Sequence, residues 1–167
     1  MIVFDASTLI LIAKIEVLDL FLSGSRLEVA IPPEVEKECC AVKQSLDALM
    51  IQKAIAESRI RVVAVKNKRM IAKLRADFAL GKGEAEAIAL ALAEKSAVVG
   101  IDDKNGINAC KLLGLRFTTA VGILIRMREK RLVALDAAFA KLAALEGYGR
   151  YKQSIMEDAR KQLETTT

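Results

Sequence analysis

The chain has 167 residues, of which 53% are hydrophobic, and it carries 26 Lys and Arg against 21 Asp and Glu. This length and apolar content allow one domain with its own core and exclude extended disorder. The sequence contains no histidine, which excludes Ser-His-Asp triads, Cys-His dyads, histidine zinc sites and histidine-based acid–base nucleases. Hydrolytic chemistry would therefore depend on carboxylates, a metal ion, Lys, Ser, Tyr or Cys.

The net charge of +5 suits a polyanionic partner such as RNA or an acidic protein, although simple solubility explains it equally well. Three cysteines, Cys39, Cys40 and Cys110, show no C-x-x-C spacing and predict free, buried thiols in a reducing compartment. Charges such as Asp5 and Lys14 interrupt the apolar N-terminus, and no uncharged stretch is long enough to span a bilayer. We therefore expect a soluble, cytoplasmic protein with no membrane segment.

In the first half of the chain, short apolar runs alternate with helical patterns. Strands are predicted at 2–4, 27–31 and 60–65. The helices between and after them begin at the hydroxyl caps of Ser7 and Thr8, cover 17–22, open at Pro32-Pro33, cover 46–56, and form a basic segment at 66–80.

In the second half, residues 84–94 have the strongest helical pattern, because nearly every residue is Ala, Leu, Ile or Glu. This segment is apolar almost all round, which predicts a deeply buried helix. Two further strands are predicted at 97–101 and 115–117, with a helix between them that ends at Gly114. From about residue 120 onward the pattern is mostly helical.

Strands that alternate with helices predict an α/β fold, an α/β/α sandwich around a mostly parallel central sheet of four to five strands. No linker or change of composition divides the chain. We therefore expect a single domain over residues 1–167, with a core at about 1–130 and a helical C-terminal extension at about 131–163.

Acidic residues follow two of the predicted strands: Asp5 comes after the first, and Asp102 and Asp103 come after the fourth. In an open parallel sheet, sites form beyond the carboxyl ends of the strands. Acids are costly to bury there unless something compensates for their charge. The pattern therefore predicts a functional acidic site at this edge of the sheet.

Two further acids lie on helices that could reach the same edge. Glu84 stands at the start of the buried helix, where the helix dipole favours a carboxylate, whereas Glu86 faces elsewhere. Glu38 lies beside the apolar stripe of its helix, unlike its competitors Glu34 and Glu36. Converging carboxylates repel one another, and a hard cation such as Mg²⁺ or Mn²⁺ relieves this repulsion. A bound metal supplies hydroxide near neutral pH, so the acids predict phosphodiester hydrolysis without histidine.

Four segments in this order resemble the PIN domain family, and VapC-like toxins in particular, over roughly residues 1–130. They are 4–10 (FDASTLI), 32–38 (PPEVEKE), 83–91 (GEAEAIALA) and 98–105 (VVGIDDKN). A fifth segment, 119–124, resembles a PIN subgroup with a small-residue turn there. The resemblance implies a PIN-like fold and a metal-dependent endoribonuclease, often the toxin of a VapBC-type toxin–antitoxin pair.

Residue by residue, the resemblance implies an acidic catalytic cluster with Mg²⁺ or Mn²⁺ as cofactor. Its members would be Asp5, Glu38, Glu84, Asp102 and Asp103. Of these acids, all except Glu38 would be metal ligands. Glu84 stands where many relatives have Asp, which could shift the metal.

Two polar residues would assist the cluster. Ser7, itself a candidate helix cap, would lie near the metal-bound water, and Asn105 would be an auxiliary or turn residue where some relatives have a further acid, so a second metal is less certain. Between the adjacent acids, Asp103 is favoured as the closer metal ligand. Asp102 is then expected to face the opposite side or to cap the next helix.

The segment from Arg59 to Arg75 is basic and contains no acid, and a second basic cluster covers 126–131. These cations are interpreted either as solvated helix faces or as RNA phosphate contacts. The candidates for RNA contact are Lys66, Lys68, Arg69 and Lys73. Tyr148 and Tyr151 could stack on bases, but ordinary packing is the favoured interpretation.

The high apolar content and the resemblance together predict a homodimer through an apolar helix surface that includes Leu124 and Met127. An antitoxin could bind the same protein and insert a basic side chain into the acidic site. Two alternatives remain: a PIN-like binding module that has lost activity, and a haloacid-dehalogenase-like phosphatase. The phosphatase would need a second acid two residues after Asp5, where this chain has Ser7.

Overall fold

The computed structural model describes residues 1–40, 44–94 and 97–165. Five short strands form one sheet in the order β3-β2-β1-β4-β5, and every neighbouring pair is parallel. The strands are β1 (Ile2–Phe4), β2 (Val29–Ile31), β3 (Arg61–Val62), β4 (Val98–Gly100) and β5 (Arg116–Thr118). The predicted α/β sandwich with a central parallel sheet is confirmed.

Helices connect the strands and cover both faces of the sheet. Before β4 they are α1 (Ala6–Lys14), α2 (Leu18–Gly24), α3 (Pro33–Cys39), α4 (Leu46–Ala56), α5 (Lys68–Phe78) and α6 (Lys82–Ala93). After β4 they are α7 (Lys104–Leu112), α8 (Ala120–Glu129), α9 (Leu135–Tyr148) and α10 (Gln153–Thr165).

Alternation of side chains along the short strands divides the core in two. Ile2 and Phe4 point into a cluster with α1, α8, α9 and α10. Val3, between them, points into a second cluster with α5, α6 and α7, because successive strand residues face opposite sides of a sheet. Ile88 on α6 is fully buried in this second cluster, as the all-apolar pattern of that helix predicts.

The register between β1 and β4 brings their carboxyl ends to one level. Phe4 lies opposite Gly100, and the Asp5 N–H donates a 2.9 Å hydrogen bond to the Gly100 carbonyl. A β-carbon on Gly100 would lie 2.3 Å from Cδ1 of Phe4, so the ring occupies the space of a missing side chain. Asp5 and the residues that follow Gly100 therefore leave the sheet side by side.

The helical extension packs onto the core rather than standing apart from it. Both α9 and α10 contact α8, and Leu142 and Leu163 share the core cluster of α1. Under this layer Leu124 and Met127 are 0% and 2% exposed. The expectation that these two residues form a dimer surface is therefore wrong, because the extension already covers them.

Several element boundaries differ from the sequence prediction. The predicted strand at 60–65 pairs only at Arg61–Val62, on the edge of the sheet. Gly81 is the N-cap of α6, so Lys82 and Gly83 belong to its first turn rather than to a break. All three cysteines are free. In the described part of the chain, no helix combines the length and the apolar character needed to cross a membrane.

Candidate active site

Asp5 is the most deeply buried acid of the site, with 1% of its surface exposed. It is the N-cap of α1: Oδ1 accepts a 2.8 Å hydrogen bond from the Thr8 N–H, and Oδ2 accepts a 2.6 Å bond from the Ser7 hydroxyl. The expectation of a hydroxyl cap from Ser7 or Thr8 is therefore wrong, since both residues already lie inside the helix. Two short bonds from α1 fix the direction of the Asp5 carboxylate.

The pKa of Asp5 is raised to about 7: burial has the largest effect and raises it, the Ser7 and Thr8 donors lower it, and the nearby Asp102 carboxylate adds a smaller increase. Removal of a carboxylate from water disfavours its charged form. The hydrogen bonds of the cap do not compensate for this cost. A cation beside Asp5 would stabilise its ionised form.

Asp102 lies next to Asp5 and is held by three donors from distant parts of the chain. Its Oδ2 accepts 2.9 Å hydrogen bonds from the Thr8 hydroxyl and from the Ala120 N–H. Its Oδ1 accepts a 2.6 Å bond from the Tyr151 hydroxyl. Thr8 is completely buried and binds both acids, Asp5 through its N–H and Asp102 through its hydroxyl. Thr8 therefore sets the spacing of the pair.

Asp103 has a different role from its neighbour. It is exposed and caps α7, accepting hydrogen bonds from the N–H groups of Asn105 at 2.7 Å and Gly106 at 3.2 Å. The expectation that Asp102 faces away or caps this helix is therefore wrong, since Asp103 is the cap and Asp102 faces Asp5. Asn105 is exposed, and its side-chain amide donates to the Ala79 carbonyl at 3.5 Å.

Glu84 and Glu38 converge on the N-terminus of α6. Glu84 accepts a 2.9 Å hydrogen bond from the Gly81 N–H. Burial raises the pKa of Glu84, with smaller contributions from Asp103 and Glu38. Glu38 reaches across from α3 and accepts a hydrogen bond from the Gly83 N–H, while burial raises its pKa as well.

Glu86 turns toward α3, where its Oε2 accepts a 3.2 Å hydrogen bond from the Glu34 N–H. Each of the two helices therefore supplies a carboxylate to the N-terminus of the other. Glu34 forms an ion pair with Lys82, which removes it as a competitor of Glu38 for the acidic site.

All five predicted acids lie at helix N-termini: Asp5 at α1, Glu38 and Glu84 at α6, Asp103 at α7 and Asp102 at α8. The positive ends of helix dipoles favour carboxylates, and they favour phosphate groups equally. This common position explains why so many acids gather at one edge of the sheet. Each acid is thus a capping group as well as a candidate ligand.

The described residues contain no ready-made group of three or more Asp, Glu or Cys side chains that could hold a metal ion. The acids are instead arranged as neighbouring pairs, Asp5 with Asp102 and Glu84 with Asp103. Mg²⁺ keeps several waters and binds proteins through one or two carboxylates plus substrate phosphate. An oxygen-only pair such as Asp5 and Asp102 fits that requirement without a third ligand.

Sequence reasoning missed the contact of Tyr151 with the site, just as it treated Thr8 only as a helix cap. Tyr151 lies between α9 and α10, and burial together with Asp102 raises its pKa, which keeps the hydroxyl protonated as a donor. The sequence favours ordinary packing for this residue and does not predict the 2.6 Å hydrogen bond from its hydroxyl to Asp102. No local pattern indicates this contact, because the two residues are 49 positions apart.

The predicted RNA-binding lysines lie far from the acids. A three-residue connection joins α5 to α6, and the two helices pack together. Lys68 begins α5, so it is about 16 Å from the C-terminal end of that helix, which leads to Gly81 and α6. Lys66 precedes the helix, and Lys73 forms a 2.8 Å ion pair with Asp77. Arg69 is exposed in the first turn of α5.

Comparison with known protein families gives one match that covers nearly the whole chain. A family model described as a PIN domain matches residues 1–165. The matched range contains all five acids, Tyr151 and both helices of the C-terminal extension. No curated protein and no solved structure matches the chain.

Proposed function

The chain belongs to the PIN domain family, and from this premise we propose that it is a Mg²⁺- or Mn²⁺-dependent endoribonuclease. PIN domains are generally nucleases that use divalent metal ions. The finer parts of the proposal are RNA as the substrate, cleavage within the strand, and the choice of metal.

The observation that carries the proposal is the burial of Asp5 beside a second acid, Asp102. With its pKa raised to about 7, Asp5 is poorly stabilised as an anion by the protein alone. Strongly perturbed groups of this kind are characteristic of functional sites. A divalent cation with a substrate phosphate would compensate for both carboxylates.

Four of the acids and two supporting residues divide the tasks in this proposal. Asp5 and Asp102 hold the metal, with Thr8 and Tyr151 fixing their orientation. Glu84 and Asp103 form a second pair of neighbouring acids, which can accept hydrogen bonds from waters bound to the metal. The bound metal would supply polarisation of the phosphate and a hydroxide near neutral pH.

A cleavage assay with purified protein and single-stranded RNA tests the proposal. Cleavage is expected with Mg²⁺ or Mn²⁺ and is expected to stop in EDTA. Asp136→Asn, an exposed acid in the first turn of α9, is a matched control that should retain activity. Full activity in EDTA would contradict metal dependence.

We further propose that the protein is the toxin of a VapBC-type pair, a cytoplasmic homodimer that an antitoxin inhibits through the acidic site. Leu124 and Met127 are unsuitable for the dimer, but Leu46 and Leu49 on α4 are 61% and 49% exposed. Light scattering at micromolar concentration should show a dimer, and a monomer would refute this part. A neighbouring gene for a short DNA-binding protein would support the antitoxin.

Two other functions are separated by the same assay. A binding module would bind RNA and cleave nothing, whereas a phosphatase would release phosphate from small esters. The phosphatase has no support in the family match, and Ser7 donates to Asp5 at the position where that chemistry needs an acid.

A further inference from the structure

A cleft of about 800 Å³ lies beside the acidic site and includes Asp102 in its lining. Its lining comes from α1, α7, Thr119, the end of α9, the connection 149–152 and the start of α10. Asp102, Asp103 and Glu84 lie on its lining. Pockets of roughly 300–1,000 Å³ hold drug-sized ligands, so this cleft is large enough to hold a short segment of a single strand.

The lining of the cleft carries five cations. They are Lys14, Lys104, Lys111, Arg150 and Lys152, all of them exposed. Within the described residues none of the five forms an ion pair, unlike the cations Arg59, Lys82 and Arg160. Unpaired cations that line one cleft give a positive field that attracts a polyanion.

Tyr148 adds an aromatic surface to the same wall. It is 56% exposed, although large aromatic side chains usually gain from burial. One face of its ring lies 5.3 Å from the Lys14 ammonium. An exposed ring next to cations is the combination with which proteins bind single-stranded nucleic acid, because a base can stack on the ring while cations follow the backbone.

We propose that the C-terminal extension forms a single-stranded RNA subsite, in which Tyr148 stacks on a base and Arg150 and Lys152 contact phosphates next to the scissile bond. This inference rests on the proposed ribonuclease function, since the acids define where the scissile bond lies. Lys104 and Lys111 on α7, which line the same cleft, contact the same strand. The subsite replaces α5 as the RNA-contacting surface.

The contrast with α5 decides between the two basic surfaces. Lys66 and Lys68 lie at or before the start of α5, about one helix length from the end that leads to Gly81 and α6, and Lys73 is neutralised by Asp77. Arg150 and Lys152, in contrast, flank Tyr151, whose hydroxyl binds Asp102. A strand held at the start of α5 would have to run the length of that helix to reach the N-terminus of α6, whereas the lining of the cleft includes Asp102, Asp103 and Glu84.

The test measures binding in EDTA, where cleavage does not interfere. Anisotropy of a labelled single-stranded RNA of about ten nucleotides is followed from about 50 to 200 mM KCl. The test variant is Arg150→Ala/Lys152→Ala, and the charge-matched control is Lys66→Ala/Lys68→Ala, which removes two exposed cations from α5. Tyr148→Ala tests stacking, and circular dichroism checks the fold of each variant.

Loss of two phosphate contacts should lower the slope of log Kd against log salt by about 0.7 for each contact. Tyr148→Ala should weaken binding by roughly 5- to 150-fold. The α5 control should bind like the wild type. Equal or greater loss in the α5 control, or no loss in the other two variants, would overturn the subsite. RNA binding without cleavage in Mg²⁺ or Mn²⁺ would instead overturn the nuclease and leave the subsite standing.

Discussion

The carboxylate of Glu38 occupies the space next to the α-carbon of Gly83. A β-carbon at residue 83 would lie 2.7 Å from Oε1 and 2.8 Å from Oε2 of Glu38. The Gly83 N–H donates to the same carboxylate. Glycine at this position therefore lets an acid from α3 reach the N-terminus of α6.

Gly83→Ala should displace Glu38 from α6 without unfolding the protein. The clash falls on the end of a flexible side chain, and alanine favours a helix by about 1 kcal/mol over glycine. Stability should therefore change little, whereas cleavage should fall by about 10- to 100-fold, as when a supporting partner of a metal ligand is lost. Glu38→Ala should give a similar loss of activity, and unchanged activity in both variants would show that Glu38 only stabilises the helix.

Asp5→Asn should fold and lose at least about 100-fold in cleavage, because loss of even an outer partner costs 10- to 100-fold. Asparagine caps a helix as well as aspartate does, so the start of α1 should remain intact. A purified variant that cleaves RNA at nearly the wild-type rate would show that Asp5 is only structural.

The same variant should change how stability depends on pH. The folded protein holds the Asp5 proton more tightly than the unfolded chain does, with a pKa of about 7 against 3.8. The wild type should therefore lose stability as pH rises from about 4 to 7, by on the order of 4 kcal/mol for a shift of this size. In EDTA at pH 8, Asp5→Asn should consequently be more stable than the wild type, and at pH 4 it should show no such gain. Urea denaturation at both pH values measures this difference.

Metal binding to the wild type should be linked to the same proton. Below pH 7 a metal cation must displace the proton of Asp5. The apparent affinity for the metal should therefore increase about tenfold for each unit by which the pH is raised, and should level off above pH 7. Calorimetry in two buffers of different ionisation enthalpy should detect release of about one proton at pH 6 and almost none at pH 8.5. An affinity independent of pH would show that Asp5 does not bind the metal.

Replacement by asparagine should affect cleavage more strongly at Asp102 than at the adjacent Asp103. Asp102→Asn removes the charge that faces Asp5 and should abolish cleavage. Asp103→Asn retains an effective cap for α7 and should cause a smaller loss, with stability nearly unchanged. Cleavage measured across Mg²⁺ concentrations compares the two, and a greater loss in Asp103→Asn would make Asp103 the direct ligand.

Tyr151→Phe removes only the hydroxyl that binds Oδ1 of Asp102. Without this bond Asp102 can rotate, so the Mg²⁺ concentration needed for half-maximal cleavage should rise about 10- to 100-fold. Excess Mg²⁺ should restore the rate, which a purely structural defect would not allow. Tyr148→Phe is the matched control and should leave the Mg²⁺ dependence unchanged.

The parts of the fold that depend on neighbouring residues could be predicted from the sequence. An apolar run before Asp5 predicts a strand with an acid at its end, and the alanine-rich segment around Ile88 predicts a buried helix; both lie where expected. The paired length of β3 could not be predicted, because an edge strand has one neighbour and ends where that neighbour ends.

Features that depend on distant contacts could not be predicted. Asp102 and Asp103 have the same local pattern, and only the entry angle of α7 decides which of them is the cap. From the sequence, Met127 is an apolar residue that could form a dimer surface. Only the packing of α9 and α10 on α8 shows that it is buried. Tyr151 resembles any other tyrosine in sequence, since its role depends on where α9 ends relative to β4.

The contact between Tyr151 and Asp102 also has a consequence for the order in which the site forms during synthesis. The ribosome makes Asp102 49 residues before Tyr151, which at about 5–20 residues per second corresponds to roughly 2 to 10 s. During this interval a growing chain already carries all five acids of the site but lacks the donor for Oδ1 of Asp102. The nascent protein therefore cannot complete the hydrogen bonds of Asp102 until the segment between α9 and α10 has been made.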